Sequence, residues 1–67
     1  MSYWVVNHKS RMGTVKGQIV VRAVNVLAAE LKAAADAFTI NESKGEYLDG
    51  KPCNDYRASD VLKMKRI

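Results

Sequence analysis

The alternation of hydrophobic and polar positions changes rhythm between Gly17 and Ile40. Gln18-Ile19-Val20-Val21-Arg22-Ala23 is rich in β-branched residues and can alternate sides, as a strand does. Past Asn25, the run from Val26 to Phe38 is alanine-dense and repeats at helical spacing. A strand feeding an amphipathic helix predicts a small α+β unit with a sheet on one side and a helix on the other. Asn25 stands where an N-cap side chain can accept from a backbone N–H of the first turn. Leu27, Leu31, Ala34 and Phe38 form the larger apolar stripe and are expected to pack on the sheet. Val26, Ala29, Ala33 and Ala37 then point outward, beside an exposed Lys32 and Asp36.

The remaining pattern fills in the sheet. Tyr3-Trp4-Val5-Val6 reads as a first strand, and Lys9 to Thr14 as a connection with Gly13 at a turn. A second strand from about Val15 to Ala23 would pair with the first as an antiparallel hairpin. Val15, Ile19, Val21 and Ala23 share one of its faces; Lys16, Gln18, Val20 and Arg22 share the other. Asp49-Gly50, within Glu46 to Lys51, signals an additional short hairpin, and Pro52 confines its returning arm to an edge. Leu62 and Met64 alternate with Lys63 and Lys65, which predicts a closing strand over Val61 to Ile67, with a short helix from Ser59 as the competing reading. The expected fold is a single α+β domain over residues 1–67. Its antiparallel sheet has three to four strands in a ββαβ-like order, and one helix packs on one face.

Composition narrows the classes of function. A chain of 67 residues buries only about 60% of its potential surface, leaving little room for an enclosed substrate pocket. Lys and Arg outnumber Asp and Glu by 11 to 7, and the resulting +4 favours an acidic partner without selecting nucleic acid over protein. The lone Cys53 permits no internal disulfide and fits a reducing compartment. Asn25, Glu30, Lys32 and Asp36 interrupt the longest apolar run well short of a membrane span, and the N-terminus has no signal-peptide pattern. The expectation is a cytoplasmic protein.

Candidate chemistry is sparse. His8 and Cys53 are the only residues of their types and belong to no metal-ligand spacing, so no metal or cofactor is expected. A Cys53–His8 nucleophilic pair would still need an orienting group and an oxyanion site. Gly13-Thr14-Val15-Lys16-Gly17 lacks the spacing of a phosphate loop and leads into a strand, where a hairpin turn accounts for both glycines. No catalytic residues are assigned.

Three surfaces stand out instead. If Ile19, Val21, Leu62 and Met64 face the helix, then Lys16, Arg22, Lys63 and Lys65 lie on an open sheet face, joined there by Tyr3 or Trp4. A basic face with an aromatic suits phosphate contact and stacking, although lysines on a solvated sheet need no ligand to explain them. The segment from Tyr47 to Arg57 carries Tyr47, Tyr56 and Arg57, residue types common at binding hot spots. It can equally fold over the core and bury Leu48 and Tyr56. The outward Ala29, Ala33 and Ala37 offer a third surface, a smooth helix face for a homodimer or another partner.

A first strand Tyr3–Val6, a second ending Val20-Val21-Arg22-Ala23, an alanine-rich helix and a basic closing strand resemble the layout of several tiny phage-encoded proteins. These are inhibitors of host RNA polymerase and of CRISPR surveillance complexes. The resemblance covers most of the chain and involves no shared motif, so it assigns no residue a role. It implies a non-catalytic protein that docks on a larger host protein or nucleoprotein complex. The alternative is direct binding of nucleic acid through the basic sheet face.

Overall fold

The computed structural model describes residues 1–67. β1 (Ser2–Lys9) and β2 (Val15–Ala23) form the expected antiparallel hairpin, with Trp4 opposite Val21 and Val6 opposite Ile19. Its turn closes through Ser10: Ser10 N–H donates to the Thr14 carbonyl, and Gly13 N–H donates to the Ser10 carbonyl, each at 2.9 Å. Gly13 sits there at φ 87°, where a side chain would be strained. A bulge between His8 and Lys9 moves the pairing from Gly17 to Val15, so Lys16 drops out of the alternation.

α1 (Val26–Asp36) follows directly, capped by Asn25, whose Oδ1 accepts from Ala28 N–H at 2.8 Å. β3 (Tyr47–Pro52) then pairs antiparallel with the outer side of β1, after a single 3-10 turn at Glu42–Lys44. A second 3-10 turn at Cys53–Asp55, the short α2 (Ala58–Leu62) and the two-residue β4 (Lys65–Arg66) complete the chain. The sheet order is β3-β1-β2-β4, antiparallel except for the β2–β4 pair. The α+β class and ββαβ-like order expected from the pattern are therefore present.

Two local expectations differ. Asp49-Gly50 makes no hairpin; both residues lie inside β3, with Gly50 opposite Val6. The glycine answers to packing rather than turning. A Cβ at Gly50 would lie 2.8 Å from Val26 Cγ2, so its absence lets the start of α1 sit directly on the sheet. The closing strand shrinks to Lys65–Arg66, because Asp60 and Val61 N–H donate to the Arg57 carbonyl and wind the preceding residues into α2.

The helix is also rotated relative to the expected stripe. Ala29 and Ala33 are fully buried and join Val6, Ile19, Val21 and Ala23 in the core, whereas Leu27 and Leu31 are 62% and 64% exposed. Ala29 and Ala33 are thus core residues and not a dimer face; of the stripe expected to point outward, only Val26 and Ala37, at its two ends, are exposed. Small side chains win the inner face because small residues meet them. Gly50 and Ala23 line the sheet side, and a leucine at position 29 or 33 would lift the helix away. Trp4 points to this side and donates through Nε1 to the Ala23 carbonyl at 3.0 Å, which leaves Tyr3 on the opposite face.

That opposite face is not open. Val5 and Val20 on it are as buried as Val6 and Val21 on the helix side. The chain from Cys53 to Met64 covers it, with Cys53 and Val61 beside Val20, and Tyr56 bonded to Asn7. The sheet is therefore enclosed by α1 on one side and by the α2 segment on the other.

Candidate functional site

Enclosing both sheet faces redistributes the residues singled out by sequence. Lys16, released from the alternation by the bulge, places Nζ 2.6 Å from Glu46 Oε2 and so belongs to an ion pair, not to an open basic face. Glu46 also takes His8 Nε2 at 2.9 Å and Asn41 N–H at 3.1 Å on Oε1. The Lys16 hydrogen bond, then those from Asn41 and His8, hold its carboxyl down to about 2. His8 meanwhile stacks at a tilt against Phe38, with ring centroids 5.3 Å apart. This cluster joins β1, β2 and the segment before β3, and its role is architectural.

His8 lies with Phe38 on the α1 side of the sheet, while Cys53 lies beside Val20 on the other. The sheet separates the two, and they form no nucleophilic pair. Burial pushes the Cys53 thiol up, with Arg66 partly opposing the shift. No cluster of three or more His, Cys, Asp or Glu is arranged to hold a metal ion.

Two surfaces have shape and chemistry. The first is a groove of about 360 Å³ between α1 and β3. Leu27, Leu31, Ala34, Ile40, Tyr47 and Leu48 form its apolar lining, and Glu30, Glu42 and Glu46 supply its polar lining. It exists because α1 turns Ala29 and Ala33 to the sheet and leaves Leu27 and Leu31 outside. Glu30 reaches over the rim, its Oε2 accepting Gly50 N–H at 2.9 Å. Since alternate residues of an edge strand turn their backbone outward, Leu48 and Pro52 share Gly50's orientation. Pro52 has no N–H and that of Gly50 is taken, so strand addition at β3 finds little to pair with. The groove and not the strand edge is the feature open to a partner. Tyr47 is the only one of the sequence-selected site residues on it.

The second is a crevice of about 510 Å³ between β2 and α2, lined by Gln18, Tyr56, Asp60, Lys63, Met64 and Lys65. Here the structure brings together Tyr56, Lys63 and Lys65 from the expected set. Arg57, at the start of α2, and Arg22, opposite Tyr3 on the hairpin, are exposed and outside this crevice. Gln18, Asn7 and Asp60 were not legible as site residues. Gln18 Nε2 donates to Asn7 Oδ1 at 2.7 Å, and Asn7 Nδ2 donates to Tyr56 Oη at 3.0 Å. A buried asparagine within a valine-rich strand is the one sequence signal that marks this chain of bonds.

No helix is long and apolar enough to cross a membrane. The chain matches no protein-family model, and no curated protein or solved structure is similar to it.

Proposed function

We propose that this protein is a small non-enzymatic binding module that docks on a larger protein through the groove between α1 and β3. The observation that carries the reading is the outward placement of Leu27 and Leu31 on the only long helix, beside Ile40, Tyr47 and Leu48. Large aliphatic side chains left at the surface while alanines fill the core are costly for solubility and mark an interaction surface. The occupant that suits the groove is an apolar segment of the partner flanked by Lys or Arg. Glu30, Glu42 and Glu46 line the groove in a chain that is otherwise basic, and Glu42 has no ion-pair partner of its own. The resemblance in layout to phage-encoded inhibitors points to the same class of function, with a host protein or nucleoprotein complex as the target. The nucleic-acid alternative loses its platform, since α2 and the turn before it cover the sheet face on which it relied.

Synthetic helical peptides provide the direct test. A leucine-rich peptide flanked by lysines should bind the wild type and protect α1 from hydrogen exchange. Its glutamate-flanked counterpart should not. Leu27→Lys with Leu31→Lys should remove the binding and leave the fold intact, because both side chains are mostly in solvent. Equal binding of both peptides, or binding that survives the double substitution, counts against this surface.

A further inference from the structure

We propose that residues 53–67 form a strap that opens as one unit from a folded body of β1, β2, α1 and β3, and so gates the second face of the sheet. The inference is independent of docking at the α1–β3 groove, whose lining residues all lie in that body.

Most bonds of the strap are internal to it. Tyr56 N–H donates to the Cys53 carbonyl, and Asp60 and Val61 N–H donate to the Arg57 carbonyl. Lys63 and Met64 N–H donate in turn to the Asp60 and Val61 carbonyls. Such local bonds hold the strap together without holding it down. Its attachments to the body are few. Asn7 Nδ2 donates to Tyr56 Oη at 3.0 Å, the one side-chain hydrogen bond between the two parts. β4 adds two paired residues, opposite Ile19 and Val20, and Ile67 N–H donates to the Val20 carbonyl at 3.0 Å. The ion pairs His8–Glu46, Lys9–Asp49 and Lys16–Glu46 all fall within the body.

Burial divides at the same place. All ten buried residues belong to the body. In the strap, Cys53, Tyr56, Val61 and Met64 are half-buried and every other residue is exposed. Lifting the strap bares Val5 and Val20 but leaves the core between the sheet and α1 intact. It strands no buried polar group either: Asn7 keeps its bond from Gln18, and water replaces Tyr56 at the freed amide. A segment with so few buried apolar contacts opens at lower free energy than the core it rests on. Pro52 is the last residue of β3 and is held opposite Trp4, which puts the hinge between Pro52 and Cys53. The strip uncovered lies beside Tyr3 and Arg22, which stand opposite each other on the hairpin.

Native-state hydrogen exchange of the whole chain, followed by NMR in sub-denaturing urea, tests this. The amides of Tyr56, Val61 and Met64 should exchange through one shared opening, at least about tenfold faster than the β1–β2 ladder. Their common urea dependence should be smaller than that of the ladder, because less surface is exposed. Ile19→Val trims the core on the α1 side, which the open state retains. It should speed the ladder amides about fivefold and leave those of the strap unchanged. Tyr56→Phe removes the clamp to Asn7 and should speed the strap amides about fivefold. The proposal is overturned if strap and ladder share one urea dependence, or if the strap amides exchange separately and without any. It is equally overturned if Ile19→Val speeds both sets alike, or if Tyr56→Phe leaves the strap unchanged.

Discussion

Glu46 shows how much a single side chain does in a protein this small. Its two oxygens receive Lys16, His8 and the Asn41 amide, tying both strands of the hairpin to the segment that leads into β3. Its folded-state value of about 2 lies below the ordinary 4.5, so protons bind the unfolded chain more readily than the folded one. The stabilisation is complete above about pH 4.5 and is lost as pH falls toward 2. Acid titration followed by circular dichroism should show unfolding concentrated in that window, and Glu46→Gln should flatten the dependence there. Gly50 is a second such residue. Gly50→Ala forces its new Cβ against Val26 and should cost about 1–3 kcal/mol in urea unfolding, as overpacking does.

At the scale of elements, the sequence was most informative where structure is local. The β1–β2 hairpin, the Asn25 cap and the start of α1 follow from propensity and spacing over a few residues, and all three form. The rotation of α1 was not legible in the same way. Hydrophobic periodicity identifies the larger apolar stripe, but the inner face of a closely packed helix is chosen by the space beneath it. Here Gly50 and Ala23, distant in sequence, set that space. Asp49-Gly50 misled for a related reason, since a glycine required for close approach looks the same in sequence as one required for a turn. The covered second face did leave a trace. Val5-Val6 and Ile19-Val20-Val21 are unbroken apolar runs rather than alternations, the pattern of strands buried on both sides. Of the site residues, Tyr56, Lys63 and Lys65 were found by type, but their convergence with Gln18 depends on the path of α2, which sequence alone does not trace. The capped edge of β3 makes its own prediction. Glu30→Ala should speed amide exchange at Gly50 about tenfold, read by NMR, by removing its charged acceptor.

The whole molecule is a sheet clad on two sides by very unequal layers. α1 is a full helix with its own cap, whereas the other layer is a 3-10 turn and a five-residue helix with no buried residue of its own. That thin layer nonetheless keeps Val5 and Val20 from water, each of which stabilises the fold by about 1.5–3 kcal/mol when buried. In a domain of 67 residues such a contribution is a large share of the total. Truncation after Pro52 should therefore raise binding of the dye ANS and promote association, because it bares the second face of the sheet.

The docking surface exists only because α1 turns Ala29 and Ala33 inward and Leu27 and Leu31 outward. Urea unfolding of Leu31→Lys beside Ala33→Lys tests it most directly. Leu31→Lys should stay within about 0.5 kcal/mol of the wild type. Ala33→Lys should place a charge in the core and abolish the cooperative transition. A stable Ala33→Lys with an unfolded Leu31→Lys would contradict it.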